Sequence, residues 1–323
     1  MIVSVIAAVR RERAAIESFL DSVAAQDLTD TDWEVIVADG MSDDGTREIL
    51  DRRAREWPRL KVIDNPRRIV ATGLNAAIRH ARGDVIVRMD AHTEYAPDYV
   101  RECLGVLERT AADNVGGPAQ TRSRGWLQRA IAAAFHSPFA SGGAKFHNPQ
   151  HEGPVDTVPY GCWRRATLER VRLFDETLEH NQDDELNLRI IRSGGRVWQS
   201  PRIRSWYRPR GTLQALFEQQ FQYGFWKMAV IRKHGRPASW RHLAPGTAVL
   251  LAIVLAGLSP VWRWSLVTLV ALAGVWLICA ILASFAAARR HGWDLLPVLP
   301  VVFATYQTAY GLGFLSGILN RGR

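Results

Sequence analysis

The first ninety residues alternate short apolar runs with segments whose polar and apolar positions follow a helical period. Val3 to Ala8 reads as a buried strand, Ala14 to Ala25 as a helix, Glu34 to Ala38 as a second strand, and Thr46 to Trp57 as a helix with its charges outward. Leu60 to Ile63 is a short strand, Thr72 to Ala81 a helix with Thr72 as N-cap, and Val85 to Met89 a further strand. Such alternation through short connections implies a parallel sheet with helices on both faces and a ligand site at the carboxyl ends of its strands. Three carboxylates stand at those ends: Asp39, Asp64 and Asp90. They are expected to converge on one cleft, although Asp also caps ordinary strand exits, and Asp64 needs no more than that.

Past residue 110 the pattern loosens. "SPFASGGAKFHNPQHEGP", residues 137–154, has no period and is expected to be a long loop that orders over substrate. Gly211 to His234 reads as a helix in which Phe217, Phe221, Phe225 and Trp226 recur at helical spacing, either as core or as the buried side of a helix at a membrane surface. Three apolar stretches follow: Leu243 to Leu258, broken by Pro245 and Gly246; Ser265 to Ala288, 24 residues without a charge; and Leu295 to Leu319. A bilayer core of about 30 Å takes about 20 helical residues, so two or three spans are expected. The chain therefore divides into a soluble domain over 1–210, an interfacial helix and linker over 211–242, and a membrane region over 243–323.

Charge orients that region. With three spans, Arg289 and Arg290 share a side with Arg232, Lys233, Arg236 and Arg241, and Arg263 alone faces the other, as the positive-inside rule requires. Arg321 and Arg323 would break the rule, which keeps two spans open. The net charge of +9 over 323 residues fits anionic lipid or a phosphorylated substrate; no aromatic-basic or zinc-finger signature points to nucleic acid. Three scattered cysteines give no disulfide framework. In "MIVSVIAAVRRER" the charges follow the apolar run, the reverse of a signal peptide, so a cytoplasmic soluble domain is expected.

Four segments carry candidate chemistry. In "ADGMSDDGTREIL", Asp39 can accept hydrogen bonds from a nucleobase while the glycine-containing turn lets backbone approach; a capped turn explains Gly45 and Thr46 but not Asp39. In "VRMDAHTEY", an extended backbone would point Asp90 and His92 the same way, toward a cation that neutralises a departing diphosphate. Imidazole favours Mn²⁺ over Mg²⁺, and a plain strand end is the alternative. "NPRRIVATGLNAA" sets Arg67 and Arg68 before a helix, as phosphate ligands or as solvated charges. "EHNQDDELNLRI" opens a helix with Asp183, Asp184 and Glu185, a source of a general base; the helix dipole accounts for only part of that cluster.

Taken in order, "VSVIAAVRRE", "DGMSDDGT", "NPRRIVATGLNAAIRHARGDVIVRMDAH", "GCWRRATLERVRLFDETL" and "NQDDELNLRI" make residues 2 to about 230 resemble glycosyltransferase family 2, inverting enzymes of α/β GT-A fold. The likeness is greatest to the succinoglycan-biosynthesis glucosyltransferase branch, which has C-terminal membrane segments and Asp-Ala-His where most relatives have Asp-x-Asp. The resemblance implies nucleotide-sugar contacts at Ala8, Arg10, Glu12, Asp39, Gly40, Arg68, Gly73, Asn75 and Asp90. It implies Mn²⁺ or Mg²⁺ on Asp90 and His92, and a base at Asp183 or Asp184, with Gln182 replacing the family's first acidic residue. Acceptor-side residues would be Cys162 and Trp163, then Gln219, Tyr223 and Trp226, where "QQFQY" departs from the Gln-x-x-Arg-Trp element of processive relatives; core packing is the alternative for both tryptophans. The expected activity is transfer of a single sugar from a nucleoside-diphosphate sugar, UDP-sugar favoured, to a polyprenyl- or other lipid-linked glycan acceptor at the inner membrane. A sugar nucleotidyltransferase and an inactive nucleotide-binding scaffold are the alternatives.

Overall fold

A computed structural model describes residues 1–29 and 31–320; Arg321 and Arg323 lie outside them. The chain divides into two compact units, Met1–Gln120 with Asn148–Arg208, and Thr121–His147 with Pro209–Arg323. One crossing falls beside the boundary expected at 210. The other, which gives residues 121–147 to the second unit, has no local signature, because that segment finds its packing partners more than a hundred residues downstream.

In the first unit, β1 (Ile2–Val9), α1 (Ile16–Ala24), β2 (Asp32–Asp39), α2 (Thr46–Glu56), β3 (Leu60–Asp64), α3 (Val70–His80) and β4 (Val85–Arg88) follow the expected alternation. Then come β5 (Thr93–Tyr95), α4 (Tyr99–Thr110), β6 (Asn114–Gly116) and β7 (Gln120–Thr121), where the chain leaves the unit. It returns with β8 (Gly153–Pro154), β9 (Cys162–Arg164), α7 (Arg165–Arg170), α8 (Gln182–Arg192), β10 (Val197–Gln199) and β11 (Ser205–Tyr207). The main sheet has the order β3-β2-β1-β4-β9-β6-β10-β8, mostly parallel, with β9 and β8 reversed.

Burial on both faces explains why β1 is apolar at every position but Ser4 instead of alternating. Val3, Val5, Ala7 and Val9 pack with Phe19 and Leu20 of α1, Leu50 of α2, and Val100 and Cys103 of α4. Ile6 faces the opposite cluster, with Leu74 and Ile78 of α3, Leu168 of α7, and Leu186 and Ile190 of α8.

Two local expectations change. Thr72 is not the N-cap of α3: the helix starts at Val70 after extended Ile69, and the Thr72 hydroxyl donates to Asn65 Oδ1 at 2.7 Å. β4 ends at Arg88, and the Thr93 N–H reaches back to the Asp90 carbonyl at 3.2 Å, so 90–93 is a turn rather than extended chain.

The second unit is helical: α5 (Trp126–Phe135), α6 (Pro138–Ser141), α9 (Leu213–His234), α10 (Ala244–Leu258), α11 (Arg263–His291) and α12 (Leu299–Leu319). The expected loop over 137–154 instead begins with α6, capped by Ser137, and its first part belongs here. Ala130, Ile131 and Ala134 of α5 share a core with Ala287 and Ala288 of α11 and with Leu299, Val302 and Phe303 of α12. By length and apolarity, Trp240–Leu258 and Arg263–His291 could cross a membrane. The third apolar stretch, α12, is not among them; it is the core helix of the unit, burying Leu299, Val302, Phe303, Ala309 and Phe314.

The α9–α12 contact depends on glycine at the crossing. A Cβ at Gly313 would lie 2.0 Å from the Phe221 carbonyl oxygen, and one at Gly224 2.1 Å from that of Tyr310. We expect Gly313→Val to force the helices apart at a cost of about 1–3 kcal/mol. Gly274→Val, on open helix surface, should leave the thermal midpoint unchanged. Thermal unfolding followed by far-UV circular dichroism in detergent checks both, and equal midpoints for the two variants would refute the close packing.

Candidate active site

Parallel register brings the strand-end carboxylates together. Asp39 is paired with Asp64 across β2 and β3 and with Val9 across β2 and β1. Arg88 stands opposite Ile6 on β1, so Asp90 emerges at the same edge. The expected convergence therefore holds in the main sheet.

Asp39 is fully buried. Its Oδ2 accepts the Ser42 N–H at 3.2 Å and lies 3.6 Å from Arg47 Nη1, while its Oδ1 is buried with no partner among the described residues. A buried acceptor without a donor is costly unless a ligand fills it, and a nucleobase N–H has the right chemistry. Arg47 also pairs with Asp51 at 2.9 Å and with Asp64. The Asp64 hydrogen bond raises its pKa against the opposing effect of burial.

The neighbouring turns are laced together. Arg11 forks onto Asp43 with two bonds of 2.7 Å, holding that carboxyl down to about 2. The Glu12 N–H donates to Thr46 Oγ1 at 2.9 Å, and Arg13 N–H to Asp44 Oδ2 at 3.2 Å. Arg10 packs its stem over Gly40, and Ala8 lies under Gly73.

Asp90 does not stand alone. Arg88, almost completely buried within β4, grips it with Nε–Oδ1 and Nη2–Oδ2 bonds of 2.8 Å each. Burial would lower the Arg88 pKa, but the charge and hydrogen bonds of Asp90, reinforced by the charge of Asp183, raise it. Arg88 Nη1 is buried without a partner. Asp183 and Asp184 both lie half-buried in the first turn of α8, and Asp183 is the one whose charge is felt at Arg88. Glu185 is instead committed to Arg189 through bonds of 2.7–2.9 Å.

The turn at 90–93 removes the extended backbone that would have aligned His92 with Asp90. His92 is exposed, with Nδ1 3.7 Å from Glu12 Oε1 and its ring edge-on to Tyr207 at 6.2 Å. Among the described residues no group of three His, Cys, Asp or Glu side chains could hold a metal ion. The protein can offer a cation the remaining lone pairs of Asp90 and the His92 imidazole, which fits only a site completed by phosphate oxygens and water, the usual arrangement for Mg²⁺ at nucleotides.

The other expected contacts separate by role. Arg68 is exposed in left-handed conformation, its guanidinium unpaired among the described residues, whereas Arg67 is bound to Glu176 at 2.7 Å. Asn75 is buried and tied to the chain at 174–176, donating to the Phe174 carbonyl at 2.9 Å and accepting its N–H at 3.0 Å. That makes it a brace between α3 and this segment. Cys162 is buried, and Trp163 is 1% exposed with its ring edge-on to Phe174 at 5.9 Å, so both are core and Trp163 has no face to offer a sugar. Gln219, Tyr223 and Trp226 all lie on α9 in the second unit; Trp226 is buried there.

Arg47 and Arg88 are the residues that motif reading missed. Arg88 had a signal: a charge inside an otherwise apolar strand is almost never left unpaired. Arg47, at the start of α2, looks like any surface helix arginine.

Known proteins are similar to this chain in sequence and in fold. A succinoglycan biosynthesis protein of Rhizobium meliloti is 30% identical over 96% of this chain and 92% of its own length. A dolichyl N-acetyl-α-D-glucosaminyl phosphate 3-β-D-2,3-diacetamido-2,3-dideoxy-β-D-glucuronosyltransferase of Methanococcus voltae is 23% identical over 98% of this chain and 97% of its own. Among solved structures, a mannosyltransferase of Pyrobaculum calidifontis, in complex with GDP-Man and Mn²⁺, aligns with a TM-score of 0.64 at 21% identity over 99% of this chain and 88% of that one, and the shared fold is GT-A. The sequence model of Glycosyl transferase family 2 matches residues 4–172, and the chain belongs to that family.

Proposed function

We propose that this glycosyltransferase is membrane-anchored and inverting, moving one sugar from a nucleoside-diphosphate sugar to a lipid-linked acceptor in polysaccharide or glycolipid synthesis, with its first unit cytoplasmic. The observation that carries the donor half is Asp39, a buried carboxylate with one unfilled acceptor atom at the strand edge shared with Asp90. The lipid-linked half is supported by the two long apolar helices and by the Methanococcus relative, whose name specifies a dolichyl N-acetyl-α-D-glucosaminyl phosphate. Family membership displaces the nucleotidyltransferase alternative.

The reaction then runs on this chain's residues. Asp39 Oδ1 accepts from the nucleobase, and Arg68, at the neighbouring turn, meets the diphosphate. Asp183 takes the proton of the acceptor hydroxyl as that oxygen attacks the anomeric carbon, and the bond from that carbon to the diphosphate oxygen breaks on the opposite side. Arg88 lies within electrostatic reach of Asp183. A bound Mn²⁺ or Mg²⁺, held by Asp90 and His92, would neutralise charge on the departing diphosphate.

Asp183→Asn should lower kcat about 10²–10⁴-fold with donor KM little changed, the range for loss of a general base. Asp39→Ala should mainly raise donor KM. Release of nucleoside diphosphate from UDP-sugars and GDP-mannose, with lipid extract as acceptor, measures both; full activity of Asp183→Asn, with Asp184→Asn inactive, would move the base to Asp184. Binding of nucleotide without turnover of any donor would favour the inactive scaffold.

Arg88→Met leaves Asp90 without its partner. A stability loss of about 3–5 kcal/mol is expected from breaking a buried pair. A fall in kcat/KM of about 10²-fold should accompany it, to be measured at a temperature where the variant is folded. Unchanged kcat/KM would make the pair purely structural.

A further inference from the structure

The membrane-anchored part of the proposed function leaves open which helices enter the bilayer. We infer that the second unit crosses a lipid bilayer as a two-helix hairpin, α10 and α11, and that α12 returns its C-terminal end to the face at which α10 enters.

Contacts along α12 carry the argument. Gly246, in the first turn of α10, lies against the Phe314 ring, and Gly311 lies against Pro245 and Val249. Arg232, in the last turn of α9, donates to the carbonyls of Gly317, Ile318 and Asn320 at 2.7 Å. The C-terminal third of α12 is therefore level with both the end of α9 and the start of α10. A crossing α12 would have that third at the far face, with α10 beginning at the near one.

Charge gives the same answer. α9 runs parallel to α12, with Phe221 at Gly313 and Phe225 at Gly317. If α12 crossed, α9 would carry Glu218 and Lys227 into hydrocarbon beside it, a costly placement for two charges.

The hairpin is built differently. Its outward side chains are apolar and exposed, Ile253 at 53%, Val270 at 64% and Leu282 at 63% among them. Trp262 and Trp264 flank Arg263 at its turn, and Trp240 and Trp293 stand exposed at its base, as interfacial tryptophans do. From Trp264 to Phe285 is ~32 Å of helix, and the 19 residues of Trp240–Leu258 reach ~28 Å, both close to a core of about 30 Å. Arg263 then marks the far face.

Single cysteines in a Cys279→Ala background of the full chain test this with a membrane-impermeant thiol reagent, applied to right-side-out and inverted vesicles. Cys103 and Cys162 are buried. Arg236→Cys and Asn320→Cys should label from one side and Ser259→Cys from the other. Labelling of Asn320→Cys from the Ser259→Cys side would overturn the inference and establish a third span. Labelling of all three from one side, with the protein extracted by alkaline carbonate, would overturn the inference and the membrane-anchored reading together; the same labelling in carbonate-resistant protein would overturn the crossing hairpin alone.

Discussion

Carboxylates gathered at one edge of a sheet repel one another, and fixed cations among them offset that repulsion in so small a space. Two unit charges 4 Å apart interact by about 4 kcal/mol at an effective dielectric of 20, so the arrangement depends on its arginines. Arg47 joins the Asp39–Asp64 side of the edge to α2, and Arg88 joins Asp90 to the field of Asp183. One arginine thus serves the end of the cleft that would hold the nucleotide, the other the end where the sugar would react. The Arg11–Asp43 fork then keeps the turn after β1 against the turn after β2.

Most of the first unit was legible because its signals are local. Apolar runs of strand length, helical periods between them and Asp at the strand exits all lie within a few residues of one another, and they located β1 to β4 and the Asp39, Asp64 and Asp90 row. What local pattern could not separate was ligand contact from brace. Asn75 and Trp163 sit inside motif segments, yet Asn75 holds Phe174 and Trp163 fills the core. His92 was read from strand geometry that stops two residues before Asp90. Arg88 and Arg47 depend on partners whose direction only the folded chain reveals, the first across a strand end and the second from one element to the next.

The second unit shows the limit of counting apolar residues. α10, α11 and α12 all read as long greasy stretches, but hydrophobicity says that a surface must be covered and not what covers it. α11 has most of its side chains outward, whereas α12 is sheathed by α5, α9 and α10. Glycines at 224, 311, 313 and 317 mark that difference in the sequence: they allow helix backbones to approach, which has no use on a helix facing lipid alone. Residues 121–147 were hidden for the complementary reason, since the residues that cover α5 lie on α11 and α12, far downstream in sequence.

The Asp90–Arg88 pair also bears on how a cation would enter. Two bare aspartates present a divalent ion with two negative charges before any substrate arrives. Here Asp90 is already neutralised by Arg88, and His92, the second residue proposed for the cation, is not a carboxylate and stands exposed beside Glu12. A donor diphosphate changes this balance, since its oxygens supply both charge and ligands, while Arg88 Nη1 remains available for a further hydrogen bond. Cation and donor are then best held together, each completing the site for the other, and Arg88 provides the positive charge that is present when neither is bound.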